Sequence, residues 1–307
     1  MADTWTQRFD GTPGRLDVWY ATFTEPATKA GLWVHGETVA PDDGGAVERL
    51  GWVAVFPEDG PPRWARTGRS AGPLPEGART FECDGLQLGP DGTSGQAGDI
   101  SWDLAWDSTE QRTLYTFPKW AWQRELLPGS QVVPAPSLDV TGKVSSGGSP
   151  ITFDGARGNV ARIYGHGNAE RWAWLHADLG GGDVLEMVTA VSTRPGLNRL
   201  APITHLRFRI DGKDWPGLDG PSFRLKSRIG LPTWEVSGRV GRATLSVTVY
   251  QPTDRSVAID YHDPDGRSAT CTNTEQADVD IELKNGPGGG RFWHLEGTGH
   301  AEVGSRP

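Results

Sequence analysis

The sequence predicts an all-β chain, folded as two antiparallel barrel or sandwich domains in tandem, and three observations carry that prediction. Gly and Pro, 42 and 23 residues, fill about a fifth of the 307 positions. Helix interiors reject such a load, because Gly adds a backbone entropy cost and Pro lacks an N–H donor. Apolar and polar residues alternate with period two over many short segments, the signature of half-buried strands. Turn chemistry separates those segments: Pro-Glu-Asp-Gly at 57–60, Gly-Pro-Asp-Gly at 89–92 and Asp-Pro-Asp-Gly at 263–266. Gly and Pro follow no fixed period, which excludes collagen, and 36% hydrophobic residues suffice for a packed core.

Taken in chain order, strands are expected near 15–23, 31–39 and 51–56. At Ile100, Trp102, Leu104 and Trp106 the alternation is strict against Ser101, Asp103, Ala105 and Asp107. A further strand is expected at 112–117 and a short helix at 119–127. The Pro/Ser/Gly-rich stretch between about 132 and 158 has little to bury and reads as the linker. It divides the chain into an N-terminal domain, 1–145, and a C-terminal domain, 146–307. Beyond it, strands are expected at 159–164, 171–177, 184–191, 205–210, 234–239, 244–249, 256–261 and 278–283. Gly-Pro-Gly-Gly-Gly at 286–290 starts a hairpin or a loose tail. Closing each sheet on itself removes exposed edges, and no repeat of 20–50 residues points to a propeller.

Charge and composition bound the partners. Thirty basic against 39 acidic residues give a net charge of −9 without a basic stripe, which argues against nucleic acid and against an anionic membrane surface. No apolar run approaches the roughly 18 residues of a membrane-spanning segment. The first ten residues lack a basic region followed by an apolar stretch, so no secretory signal is read and a cytoplasmic location is expected. Cys83 and Cys271, 188 positions apart, fit neither a redox pair nor a zinc site and read as buried free thiols. Nucleotide-binding glycine loops, HExxH and GxSxG are absent from the sequence, so the expected cofactor is none and no metal is expected.

Tryptophan placement is the most informative feature. On strands, a spacing of two or four puts Trp102 with Trp106, Trp120 with Trp122, and Trp172 with Trp174 on single faces. The face of Trp33 also carries His35 and Glu37, and that of Trp172 carries His176. Buried imidazole and carboxylate need partners, so these faces read either as satisfied structural groups or as an apolar pocket with a few orienting groups. A second concentration, Tyr164, His166, Asn168, Glu170 and Arg171, crowds a Gly-relieved turn before the Trp172 strand. It reads as a donor and acceptor set for moving a proton, or as turn capping.

From Tyr164 to His176 the sequence resembles the double lipocalin-like superfamily of carotenoid 1,2-hydratases (the hydroxyneurosporene synthase group), tocopherol cyclases and fungal decalin-forming Diels–Alderases. Tocopherol cyclase-like members carry Tyr-Ala-Glu-Lys-Asn-Trp-Gly, then Trp-x-Trp-x-Gln. Tyr164 and Asn168 match the Tyr and Asn, and Trp172 and Trp174 match Trp-x-Trp. His166 and Gly167 stand in the Glu-Lys positions, His176 stands for the Gln, and the loop between Asn168 and Trp172 is shorter. Gly98-Asp-Ile-Ser-Trp-Asp-Leu looks like a strand late in the first half of the hydratase group.

The resemblance implies two lipocalin-like domains and a pocket for a polyene or isoprenoid, cyclised or hydrated without a redox cofactor. The expected catalytic residues are His35, Glu37, His166 and His176. Trp33, Trp102, Trp120, Trp122, Tyr164, Asn168, Trp172 and Trp174 are expected to bind an apolar small-molecule substrate. A non-catalytic carrier of a hydrophobic ligand needs the same wall without the titratable set. A carbohydrate-active β protein is the third reading, because Trp platforms also stack on sugars.

Overall fold

The computed structural model describes residues 3–124, 127–217 and 224–307. The chain divides into two compact units, the first comprising residues 1–114, 120–167 and 262–267, the second 115–119, 168–261 and 268–307. Each is an antiparallel curled sheet of lipocalin-like type.

The first sheet contains β1 (Arg15–Thr24), β2 (Gly31–Ala40), β3 (Glu48–Phe56), β4 (Arg63–Arg66), β5 (Ser70–Ala71), β6 (Phe81–Cys83), β7 (Leu86–Leu88), β8 (Gly92–Ala97), β9 (Ile100–Ala105), β10 (Gly129–Ser146) and β11 (Ser149–Gly165). Their order is β4-β3-β2-β1-β11-β10-β9-β8-β7-β6, with β5 on β3. β6 packs across β2 and β3, and β7 across β1, so the sheet curls onto itself. Alternation sends Trp19, Ala21, Phe23, Leu32, Val34, Val53 and Val55 to the enclosed core, where Trp102 and Trp106 join them.

The second sheet contains β12 (Arg171–Gly180), β13 (Asp183–Val191), β14 (Ile203–Ile210), β15 (Lys213–Trp215), β16 (Leu225–Arg228), β17 (Thr233–Val240), β18 (Ala243–Tyr250), β19 (Val257–His262), β20 (Ser268–Gly286) and β21 (Gly289–Ser305). Their order is β15-β14-β13-β12-β21-β20-β18-β17-β16, with β19 on β20, and β16 closes against β14. The core of this unit takes Ala173, Leu175, Ala177, Leu185, Met187 and Ala301 from the middle of the sheet, with Trp234 from β17. The expected hairpin at 286–290 is the turn between β20 and β21.

Three expectations differ from the structure. The stretch read as a linker is the β10–β11 hairpin of the first sheet, and the passage to the second unit falls after Gly167 rather than at 145. Pro134 and Pro136 sit where the β10–β11 register shifts, at Val132/Ala135 and Ala135/Leu138, so their missing N–H breaks no regular ladder. Gly147 and Gly148, both at positive φ (61° and 83°), form a two-residue turn that the right-handed strand twist favours. Residues 112–117 make only a bridge, Leu114 to Val133. The helix runs Lys119–Arg124 (α1), and of its expected remainder residues 125 and 126 lie outside the described residues. Among the described residues no helix is long and apolar enough to cross a membrane.

In the second unit the Phe117 ring stacks on His205 at 4.3 Å, and His205 Nδ1 has no hydrogen-bond partner among the described residues. Burial pushes this imidazole down to about 4, and the charge of Arg207 adds to the shift. The unfolded chain binds the proton near pH 6.5, whereas the folded chain resists it until about 4. His205 therefore withdraws stability as pH falls through that window, by roughly 2–3 kcal/mol at pH 4.5. Urea unfolding of His205→Phe should show this loss removed, with the variant gaining on the parent between pH 7 and 4.5.

Candidate functional site

The polar residues singled out by alternation lie on the sheet faces opposite the two apolar cores. In the second unit they form a grid set by strand register. His176 on β12 stands directly opposite Glu186 on β13 and His300 on β21. Two residues along, Trp174 stands opposite Glu302, which pairs in turn with Asn273 on β20. Two further along, Trp172 stands opposite Gly304, which pairs with Cys271. Gly304 leaves the indole its place, since a Cβ there would lie 2.0 Å from Trp172 Cζ2.

Within this grid Glu186 is fully buried and both its oxygens are engaged. Trp174 Nε1–H donates to Oε1 at 2.5 Å, and His176 Nδ1–H donates to Oε2 at 2.9 Å. A carboxylate on Nδ1 fixes the tautomer, leaving the lone pair on Nε2. His176 Nε2 is buried and has no hydrogen-bond partner among the described residues. Leaving such an atom unmatched costs about 1–3 kcal/mol, which a polar substrate group placed there would recover.

The His300 ring stacks on His176 at 5.4 Å, and its Nδ1 lies 3.6 Å from Glu275 Oε2. Burial, reinforced by His176, holds the His300 imidazole well below its usual range and so neutral. Burial also pushes the Glu275 carboxyl well up, with the side-chain amide of Asn273 opposing the shift. The Glu302 carboxyl is pushed up by burial too, although Trp172 Nε1–H (2.7 Å) and the Cys271 thiol (3.3 Å) donate to it. The face thus sets an imidazole held by a carboxylate beside two carboxyl groups whose proton affinity burial raises.

Glu302 has a signed consequence. A carboxyl that holds its proton more tightly in the fold than in the unfolded chain draws stability down as pH rises from about 4.5. Glu302→Gln retains an acceptor for Trp172 and removes the ionisation. Its stability relative to the parent should therefore climb from pH 4 to pH 8 in paired urea titrations.

In the first unit the Trp33 face is as expected. His35 Nε2 meets Glu37 Oε2 at 3.3 Å, Trp33 meets His35 edge-on at 5.8 Å, and the Trp52 ring stacks on His35 at 3.8 Å. Burial lowers the His35 pKa; Glu37 opposes the shift and the charge of Arg66 adds to it. Trp52 pairs with His35 across β2 and β3, a contact that spacing along one strand does not reveal.

Other expected residues fall elsewhere. Trp102 belongs to the first core, with its indole N–H on Thr93 Oγ1 at 3.0 Å. Trp120 and Trp122 lie on α1 rather than a strand, so a spacing of two separates their faces. Trp120 is 39% exposed, whereas Trp122 is buried with the Arg8 guanidinium over its ring at 4.7 Å. Tyr164 is buried on β11 with Arg8 at 5.1 Å from its ring. His166 is exposed in a turn of the first unit, where its Nδ1 accepts from Arg15 Nη1 at 2.7 Å. Asn168 begins the second unit, and its carbonyl accepts from Arg306 Nη2 at 3.1 Å.

Glu186, His300, Glu302, Asn273 and Glu275 were not singled out from the sequence, and Cys271 was read only as a buried free thiol. A period-two reading of His300-Ala-Glu302-Val-Gly304 and Cys271-Thr-Asn273-Thr-Glu275 is the signal that finds most of them. Among the described residues no three His, Cys, Asp or Glu side chains converge to hold a metal ion.

The sequence model of the tocopherol cyclase-like family matches residues 85–305. An uncharacterized protein of Mycobacterium tuberculosis strain H37Rv is 51% identical over 299 residues, 97% of this chain and 89% of that protein. Two solved structures are similar in fold. Kievitone hydratase from Nectria haematococca has a TM-score of 0.57 at 10% identity, covering 99% of this chain and 92% of its own. CghA has a TM-score of 0.63 at 13% identity, covering 100% of this chain and 96% of its own.

Proposed function

Because the chain belongs to the tocopherol cyclase-like family, we propose that it is an acid–base enzyme that cyclises, isomerises or hydrates an apolar polyketide- or isoprenoid-type small molecule. One observation carries the reading: the His176 imidazole is held at Nδ1 by Glu186, with Nε2 unpartnered, on the face of Trp172 and Trp174. A carboxylic acid on this face, Glu302 or Glu275, protonates an alkene or carbonyl of the substrate. The indole faces stabilise the cation that develops. His176 Nε2 then removes a proton from the cyclised or rearranged skeleton, and Glu186 stabilises the imidazolium formed. Acid and base return to their starting states after the proton passes back between them. The product has the mass of the substrate, or one water more when water captures the cation. The same reading extends to His35 and Glu37 in the first unit.

The test incubates the purified protein with an apolar extract of the cells that make it and follows the extract by mass spectrometry. The expected result is conversion of one component to an isomer or its hydrate, abolished in His176→Gln. A component bound and recovered unchanged would instead make the protein a carrier and overturn the reading.

A further inference from the structure

The loop between β13 and β14, residues 192–202, concentrates exposed aliphatic side chains. Leu197 and Leu200 are 44% and 56% exposed, and Ile203, at the first position of β14, is 40% exposed. Arg194 and Arg199 lie among them, exposed, with no ion pair among the described residues. The chain carries a net charge of −9, yet no Asp or Glu occurs between Glu186 and Asp211. Single exposed apolar residues are ordinary, whereas three aliphatic side chains within seven positions, flanked by unpaired guanidiniums, are not. That mixture suits an interface with apolar matter below and anionic headgroups above.

Register places this loop with respect to the cluster of its own unit. Val191 pairs with Arg171, and Ala190 pairs with both Trp172 and Ile203, so the loop emerges at the Trp172 end of the sheet. Trp172, Trp174 and His176 recede from it in steps of two residues, which puts His176 about 17 Å along the strand.

We propose that residues 194–203 dock the protein on an anionic lipid surface, with Leu197, Leu200 and Ile203 entering the headgroup boundary and Arg194 and Arg199 meeting lipid phosphates. Docking stands on the loop alone. Its use, delivery of an apolar substrate toward the Trp172 end, rests on the catalytic reading above.

Sedimentation of the full chain with vesicles tests it, using pure phosphatidylcholine and phosphatidylcholine with 30% phosphatidylglycerol. Binding to the anionic vesicles is expected, weakened by salt and much reduced on the zwitterionic ones. L197S/L200S should lower the partition coefficient about tenfold or more, and R194Q/R199Q by about 25-fold, near fivefold per charge. All four side chains are exposed, so unchanged thermal unfolding checks that the variants fold. No binding by the parent, or equal binding by parent and variants, overturns the proposal. So does a parent dimer that L197S/L200S dissociates without any vesicle binding, which would make the loop a self-association surface. None of these readouts involves turnover, so failure here leaves the catalytic reading to its own test.

Discussion

Replacing His176 by Gln is expected to lower turnover by 10²–10⁴-fold, the usual contribution of a positioned proton-transfer group. The choice of Gln separates two roles. Its amide keeps a donor toward Glu186 but has no basic nitrogen. If His176 only donates a hydrogen bond, His176→Gln retains most of the activity, and the proton-transfer role is wrong. The resembled motif carries Gln here, so the comparison asks what this chain gains from an imidazole. Glu186→Gln is the companion variant. Glu186 acts through His176, so its loss should shift the pH profile of turnover as well as its size, because the imidazolium loses its counter-charge. Side chains this deeply buried also carry structure. Cooperative urea unfolding is therefore measured alongside, and turnover is compared only among variants that retain it.

The two His faces were legible for a simple physical reason. Side chains alternate across a strand, so Trp33, His35 and Glu37, or Trp172, Trp174 and His176, share a face whatever the strand pairs with. What the spacing omits is the partner strand. Glu186 is ten residues from His176, but Glu302 is 130 from Trp172, and their meeting depends on register between distant segments. Register is fixed by the pattern of the whole sheet, which one segment does not contain. The same limit explains the misplaced linker. Val-Val-Pro-Ala-Pro-Ser looks unfit for a strand until the register shifts that accommodate its prolines are seen. For Trp120 and Trp122 the ambiguity is local, since a spacing of two means one face on a strand and nearly opposite faces on a helix.

Asp17→Ala is expected to give the largest loss of stability, about 3–5 kcal/mol, by leaving the buried Arg162 guanidinium without its counter-charge. The two groups are 2% and 0% exposed. Arg162 Nη2 donates to both Asp17 oxygens, at 2.8 and 3.1 Å, and Nη1 donates to the carbonyls of Thr4 (2.9 Å) and Thr6. Its plane lies over Trp19 at 3.9 Å. Asp17 also accepts the backbone N–H groups of Arg8 (2.7 Å) and Phe9 (3.1 Å), so one carboxylate ties the N-terminal segment to β1 and β11. Removing it therefore leaves three donor groups unmatched, and for a unit of this size the transition should move down by roughly 6–20 °C. Arg162→Met on its own strands a carboxylate that still holds two backbone donors, so its loss should be smaller. The double variant Asp17→Asn/Arg162→Met removes both charges and keeps a side-chain acceptor for the backbone. It should be more stable than Asp17→Ala, because a buried charge pair costs most when only half of it is removed. If Asp17→Ala unfolds within about 1 kcal/mol of the parent, the pair is not the clamp its geometry describes.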